Sequence, residues 1–337
     1  MGIDLPIIWA VIIALGVMIY IILDGFDLGI GILFPLIKDR EQRDQMVNTV
    51  APVWDGNETW LVLGGAALMA AFPVAYSVIL SALYLPLILM LVGLIWRGVA
   101  FEFRFKAHTL EHRKFWDKAF FWGSLLATFC QGITMGSLVQ GINTDNDVYI
   151  GGMLDWISPF SLFCGLGLVA TYALLGSTWL IMKTSGQLQQ LMCRYARPLT
   201  IILLVFIALV SVWTPLMSAA IKSRWFTLPH FWWFSPVPLL TLFTSWRLIK
   251  SVQQSPSYQP FLATLVLIFL GYSGLIISLW PTIVPPNISL IAASSPPESQ
   301  GFALVGALLI IPMIIGYSAW SYYVFRGKVQ QGDGYHH

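Results

Sequence analysis

Apolar stretches long enough to cross a bilayer recur along the chain, separated by short connections that carry most of the charge. The stretches are continuous rather than alternating, the pattern of helices that are apolar all round and not of half-buried strands. A helix of about twenty residues covers roughly 30 Å of hydrocarbon and satisfies its own backbone there. The reading is an all-α integral membrane protein with about nine transmembrane helices. Spans are predicted over residues 6–35, 50–72, 75–96, 117–140, 158–181, 198–220, 229–249, 259–281 and 301–325. The first is long and holds two acids, the third is expected to run on helically toward residue 106, and the seventh is short and interrupted by Pro236 and Pro238. The connections are too short for a soluble domain and no internal repeat is visible, so residues 1–337 read as one polytopic membrane domain. The N-terminus has no basic n-region and no small-residue cleavage site, so the first stretch is expected to be a retained span.

The basic residues give the spans a direction. Lys38, Arg40 and Arg43 follow the first span; Arg97, Arg104, Lys106, Arg113, Lys114 and Lys118 cluster after the third. Lys183, Arg194 and Arg197 follow the fifth, Arg247 and Lys250 close the seventh, and Arg326 and Lys328 follow the ninth. Only Lys222 and Arg224 fall on the other side, and the positive-inside rule makes the crowded side cytoplasmic. This predicts an N-terminus outside and a C-terminus in the cytoplasm, and it is the reason for keeping the weak seventh span. Trp9, Trp54, Trp116, Trp156, Trp225 and Trp280 lie near span ends, as interfacial anchors do.

Composition agrees: 57% of residues are hydrophobic, 10% are charged and the mean hydropathy is +0.76, against roughly a quarter charged in soluble domains. The net charge of +2 is spread over many loops, so no nucleic-acid partner is expected. Cys130, Cys164 and Cys193 lie in or beside apolar segments without ligand spacing and read as packing thiols.

Three polar clusters interrupt the apolar pattern. In Asp24-Gly25-Phe26-Asp27-Leu28-Gly29 the two acids are three residues apart and share a helix face. An ionised acid at a helix centre costs about 2.5–3.5 kcal/mol on insertion scales, so both are expected to point inward; the bland alternative is a shorter span with the acids in interfacial water. Gly25 and Gly29 form a small-xxx-small pair against which another helix can pack closely. The second cluster, Trp54-Asp55-Gly56-Asn57-Glu58, opens the second span, where acids also suit a helix N-terminus simply as caps. The third runs from Arg97 to Lys106 and sets Arg97 and Glu102 among aromatic residues, as a snorkelling interfacial segment also would. Asp24, Asp27, Asp55 and Glu102 together suggest a protonatable cluster reached from the cytoplasm, of the kind used by pumps, transporters and oxidases. Of the five histidines (His108, His112, His230, His336 and His337), none lies at a span centre where an axial haem ligand would stand. No zinc, P-loop or Ser-His-Asp pattern is present, so neither haem ligands nor metal ligands are expected in this chain.

The DGFDLG run at 24–29, the APVWDGNETWL run at 51–61 and the 97–106 segment together resemble subunit II of cytochrome bd-type ubiquinol oxidases, over essentially the whole chain. The short connection at 221–228 and the Val53 and Glu58 variants look like the cyanide-insensitive branch. The resemblance implies two four-helix bundles plus one peripheral helix. It also implies a heterodimer with a haem-bearing subunit I, no cofactor bound by this chain, and a non-pumping reaction in which quinol is oxidised and O2 reduced to water in the bacterial cytoplasmic membrane. It further implies a proton route in this subunit, with Asp27 nearest the haem site and Asp24, Asp55, Glu102, Lys106 and Asp117 leading to it, supported by Trp54, Asn57, Glu58 and Arg97. Position 102 is Glu where many relatives have Asp. A structural quinone and a small single-span accessory subunit occur in parts of the family. Two other readings of the residues stay open: a proton- or ion-coupled secondary transporter, disfavoured by the odd span number and missing repeat, and a purely structural membrane scaffold.

Overall fold

The computed structural model describes residues 4–254, 257–330 and 332; His336 and His337 lie outside the described residues. Among the described residues, nine long helices account for the predicted spans: α1 (Leu5–Leu33), α3 (Trp54–Ala71), α4 (Pro73–Lys106), α5 (Leu110–Gln140), α6 (Pro159–Lys183), α7 (Gly186–Met217), α10 (Pro236–Gln254), α11 (Gln259–Leu279) and α12 (Pro297–Val324). Among the described residues, six segments are long and apolar enough to cross a membrane by length and hydropathy alone: α1 with its continuation to Leu36, and α4, α6, α7, α11 and α12. The other three, α3, α5 and α10, carry too much polarity or too little length for that test and owe their place to packing.

Helix ends differ from the sequence reading where polar residues build short helices of their own. Residues 50–53 are turn, and ahead of them α2 (Arg40–Asn48) forms with Asp39 as its cap, its carboxylate accepting from the Gln42 amide at 2.9 Å. α4 continues to Lys106, as expected, although Leu83 sits at φ −119°, ψ 19° three residues before Pro86, a local break that proline explains. The predicted seventh span divides into α9 (His230–Phe234) and α10, which starts on Pro236, because a proline suits a first helical turn and not an interior. The intervening α8 (Ala219–Phe226) is capped by Ser218.

From α3 to α11, consecutive helices pack side by side. α1, α4, α5 and α6 form one set, and α6, α7, α10 and α11 close a second ring that shares α6, while α12 packs on α3 and α1. Between membrane helices there is little hydrophobic gain, so close backbone approach decides which faces meet. A Cβ on Gly29 would lie 1.8 Å from the Tyr172 carbonyl oxygen, and one on Gly176 would lie 2.6 Å from the Gly29 carbonyl carbon. The glycine face of the first span is thus covered by α6 of the same chain and needs no second subunit to bury it.

Loops gather at two ends. At one, Gln45 Nε2 donates to the Val329 carbonyl (2.7 Å), the Val329 amide donates to the Lys183 carbonyl (2.8 Å) and Lys183 Nζ donates to the Phe325 carbonyl (2.5 Å). At the other, the hairpins β1–β2 (Thr144–Asp145, Val148–Tyr149) and β3–β4 (Thr282–Val284, Ile288–Ser289) interlock, the Ile142 amide donating to the Pro285 carbonyl (2.9 Å).

Candidate functional site

The inner polar cluster is assembled from four helices. Asp24 and Asp27 are both fully buried, one helical turn apart on α1. Arg97, also fully buried, reaches them from α4: its Nη1 donates to Asp24 Oδ1 at 2.7 Å and its Nη2 to Glu58 Oε1 on α3. Asn57, one residue before Glu58, donates from Nδ2 to Asp27 Oδ2 (2.8 Å) and to the Leu23 carbonyl (3.2 Å). Its Oδ1 in turn accepts from the Tyr322 hydroxyl of α12 at 2.8 Å. Helical periodicity explains the local arrangement: Asp24 and Asp27 share a face of α1, while adjacent residues at the start of α3 diverge, so that Asn57 meets Asp27 and Glu58 meets Arg97.

Three carboxyl groups therefore gather near one guanidinium, which pairs directly with Asp24 and Glu58; Asp24, Asp27 and Arg97 are closed to solvent, while Glu58 is partly exposed. Replacing a buried ion pair by apolar residues is often neutral or stabilising, so this set is poorly explained as a stability device. Its surplus of carboxyl groups can instead bind and release a proton. Farther along α1 the polar contacts continue: Gln131 of α5 donates to the Tyr20 hydroxyl (2.7 Å) and accepts from the Tyr172 hydroxyl (3.1 Å).

A second, outer cluster lies about two turns further along α4. Arg104, 1% exposed, pairs with Asp44 through Nη1 (2.7 Å) and with Asp117 through Nε (2.7 Å). Arg43 also holds Asp117 (2.8 Å) and Arg113 holds Asp44 (2.5 Å). Partial burial, and then the neighbouring Arg104 charge, pull the Arg113 pKa below its ordinary value, while Asp44 opposes the shift. Between the clusters sits an aromatic layer, with Trp54 stacked on Phe101 (5.2 Å) and Phe120 edge-on to Phe101 (4.9 Å) and Phe34 (5.1 Å).

The structure brings together Asp24, Asp27, Asn57, Glu58 and Arg97, which the sequence singled out. It leaves the others outside this set. Asp55 is exposed in the first turn of α3, where it suits the helix dipole. Glu102 and Lys106 form a solvent-accessible i,i+4 pair at 3.6 Å, and Asp117 belongs to the outer cluster. Trp54 contributes to the aromatic layer, and Gly25 and Gly29 to the α1–α6 contact. Tyr322, Tyr20 and Gln131 carried no sequence signal, since a lone tyrosine or glutamine in an apolar helix gains meaning only from what it touches. Arg104 lies in the 97–106 segment, but its burial and its pairing with Asp44 and Asp117 emerge only from the packing of α2 and α5 against α4.

Haem iron takes an axial His, Met, Cys or Tyr from within a bundle. His108, His112 and His230 are exposed near helix ends, and no group of three or more His, Cys, Asp or Glu side chains among the described residues is arranged to hold a metal ion. The three described histidines are therefore not placed as buried axial ligands.

Residues 5–325 match the family described as cytochrome bd terminal oxidase subunit II. The cytochrome bd ubiquinol oxidase subunit 2 of Bacillus subtilis (strain 168) is 30% identical over 339 residues, covering 96% of this chain and 97% of that protein. The cytochrome bd-I ubiquinol oxidase subunit 2 of Escherichia coli (strain K12) is 28% identical, covering 98% and 96%. The fold is similar to that in the solved structure of bd oxidase from Geobacillus thermodenitrificans, with a TM-score of 0.73 at 17% identity over 96% of this chain and 99% of that one.

Proposed function

From the premise that this chain belongs to the cytochrome bd terminal oxidase subunit II family, we propose that it is the haem-free subunit of a quinol-oxidising, O2-reducing complex and that it carries protons to the reaction site. The haems belong to the partner, subunit I, and lie outside this chain's residues. The complex resides in the bacterial cytoplasmic membrane, with the Arg- and Lys-rich end of this subunit in the cytoplasm. The cyanide-insensitive branch remains the closer likeness within the family, on Val53, Glu58 and the short 221–228 connection.

The observation that carries this reading is the complete burial of Asp24 and Asp27 beside a single arginine. O2 reduction to water consumes protons, and a subunit that cannot ligate iron can still deliver them. Arg97 holds Asp24 as its counter-ion. Asp27 is held by the neutral Asn57 amide instead, which leaves it free to alternate between charged and neutral forms. Asp55, Glu102, Lys106 and Asp117 act as collectors at the cytoplasmic helix ends. In the complex purified with its partner, Asp27→Asn is expected to lower quinol-dependent O2 consumption by about tenfold or more, within the range of a removed proton-transfer group, while leaving the haem spectrum intact. Full turnover in that variant sinks the assignment, and loss of haem would make Asp27 structural.

A further inference from the structure

α12 closes one flank of the inner cluster and reaches it through Tyr322, 265 residues away from Asn57 in sequence. The Tyr322 ring is fixed edge-on against Phe26 (6.4 Å) and Trp179 (6.2 Å), so its hydroxyl has little freedom. A carboxamide is two-sided, one end accepting and the other donating, and its surroundings decide which end faces where. The Tyr322 hydroxyl donates to Asn57 Oδ1 at 2.8 Å and, with the Leu23 carbonyl that accepts from Nδ2 at 3.2 Å, holds the amide nitrogen toward α1, where it donates to Asp27 Oδ2 at 2.8 Å. Oδ2 is thereby committed as an acceptor. Among the described residues, Asp27 Oδ1 is buried without a hydrogen-bond partner. Beside this contact α3 and α12 leave a small, mainly apolar cavity of about 10 Å³ lined by Val53, Gly56, Asn57, Tyr317, Ser321 and Tyr322 among others, so the Asn57–Tyr322 contact lies at the edge of the seam between the two helices.

We propose that Tyr322 is a positioning residue. By setting the Asn57 amide it selects Oδ1 as the oxygen of Asp27 that takes up the proton. The proton that arrives on Oδ1 neutralises the carboxylate and leaves again toward the partner subunit; Tyr322 keeps its own proton throughout. This inference rests on the reading of Asp27 as a proton carrier. Without the hydroxyl the amide can turn its oxygen to Asp27, where it repels the charged form and competes for the proton on the neutral one.

The test uses the purified two-subunit complex with Tyr322→Phe, which keeps the ring and removes the hydroxyl. Asp27→Asn is run in parallel, and Tyr323→Phe, on an exposed neighbour, serves as control. Turnover, the quinol KM, the haem spectrum and the infrared carboxyl band lost in Asp27→Asn are read in each. Tyr322→Phe is expected to lower kcat about fivefold, the scale of one lost hydrogen bond, with KM and haem spectrum unchanged and the Asp27 carboxyl band displaced. Wild-type kcat with an unmoved band overturns the proposal, as does loss of haem or of the partner subunit. If Asp27→Asn itself keeps full turnover, the proton-carrier reading fails; if Asp27→Asn is slow and Tyr322→Phe is not, only the positioning role fails.

Discussion

Two arginines on α4, seven residues apart and thus on one face of the helix, are both withdrawn from solvent, yet their surroundings differ. Arg97 meets Asp24, which is wholly enclosed, and Glu58, which keeps 28% of its side-chain surface, on two helices. Arg104 meets Asp44 and Asp117, which keep 29% and 12% of their side-chain surface and have Arg113 and Arg43 as further partners. In the outer cluster three bases share two acids and each charge has a substitute. In the inner one, two carboxylates share a single base and a third, on Asp27, has only the neutral Asn57 amide. Redundancy suits a set that ties the surface helix α2 to α4 and α5, whereas an uncompensated set suits the uptake and release of a proton. Burial alone therefore does not separate a structural charge from a functional one; the balance of partners does.

The largest expected effect breaks this comparison directly. Arg97→Met leaves the buried Asp24 without a counter-ion and should destabilise the complex by about 3–5 kcal/mol, seen as a large drop in its thermal unfolding temperature in detergent. Arg104→Met, with substitutes at hand, should cost roughly 1–3 kcal/mol. Equal losses would mean that the two clusters do the same work.

Gly29→Ala probes what holds the inner cluster together. Its methyl group would overlap the Tyr172 backbone, so α1 must move off α6 and carry Asp24 and Asp27 with it. Overpacking of this kind costs about 1–3 kcal/mol. O2 consumption should fall more than haem content does, and an unchanged rate would show that the Asp27 geometry tolerates a shifted α1. The smallest effect is expected at the exposed Glu102–Lys106 pair, where Glu102→Gln should change stability by no more than about 0.5 kcal/mol, measured by the same melt. A larger loss would mean that the partner subunit buries this pair.

The apolar run lengths determined the helical membrane fold, because a bilayer leaves the backbone no other way to satisfy itself except a closed barrel, which the continuous pattern excluded. The side-chain period also made the pairing of Asp24 with Asp27 on one face of α1 legible, and the cost of a lipid-facing acid pointed them inward. Helix ends around residues 40–53 and 229–236 were less legible, because there short polar caps and prolines compete with hydropathy. What only the tertiary structure decided is which helix meets which: that Arg97 reaches across to Asp24, that α6 covers the glycine face, and that Tyr322 closes on Asn57. Those contacts join residues tens to hundreds of positions apart, and a linear pattern carries the period of each helix but not the rotation at which two of them pack.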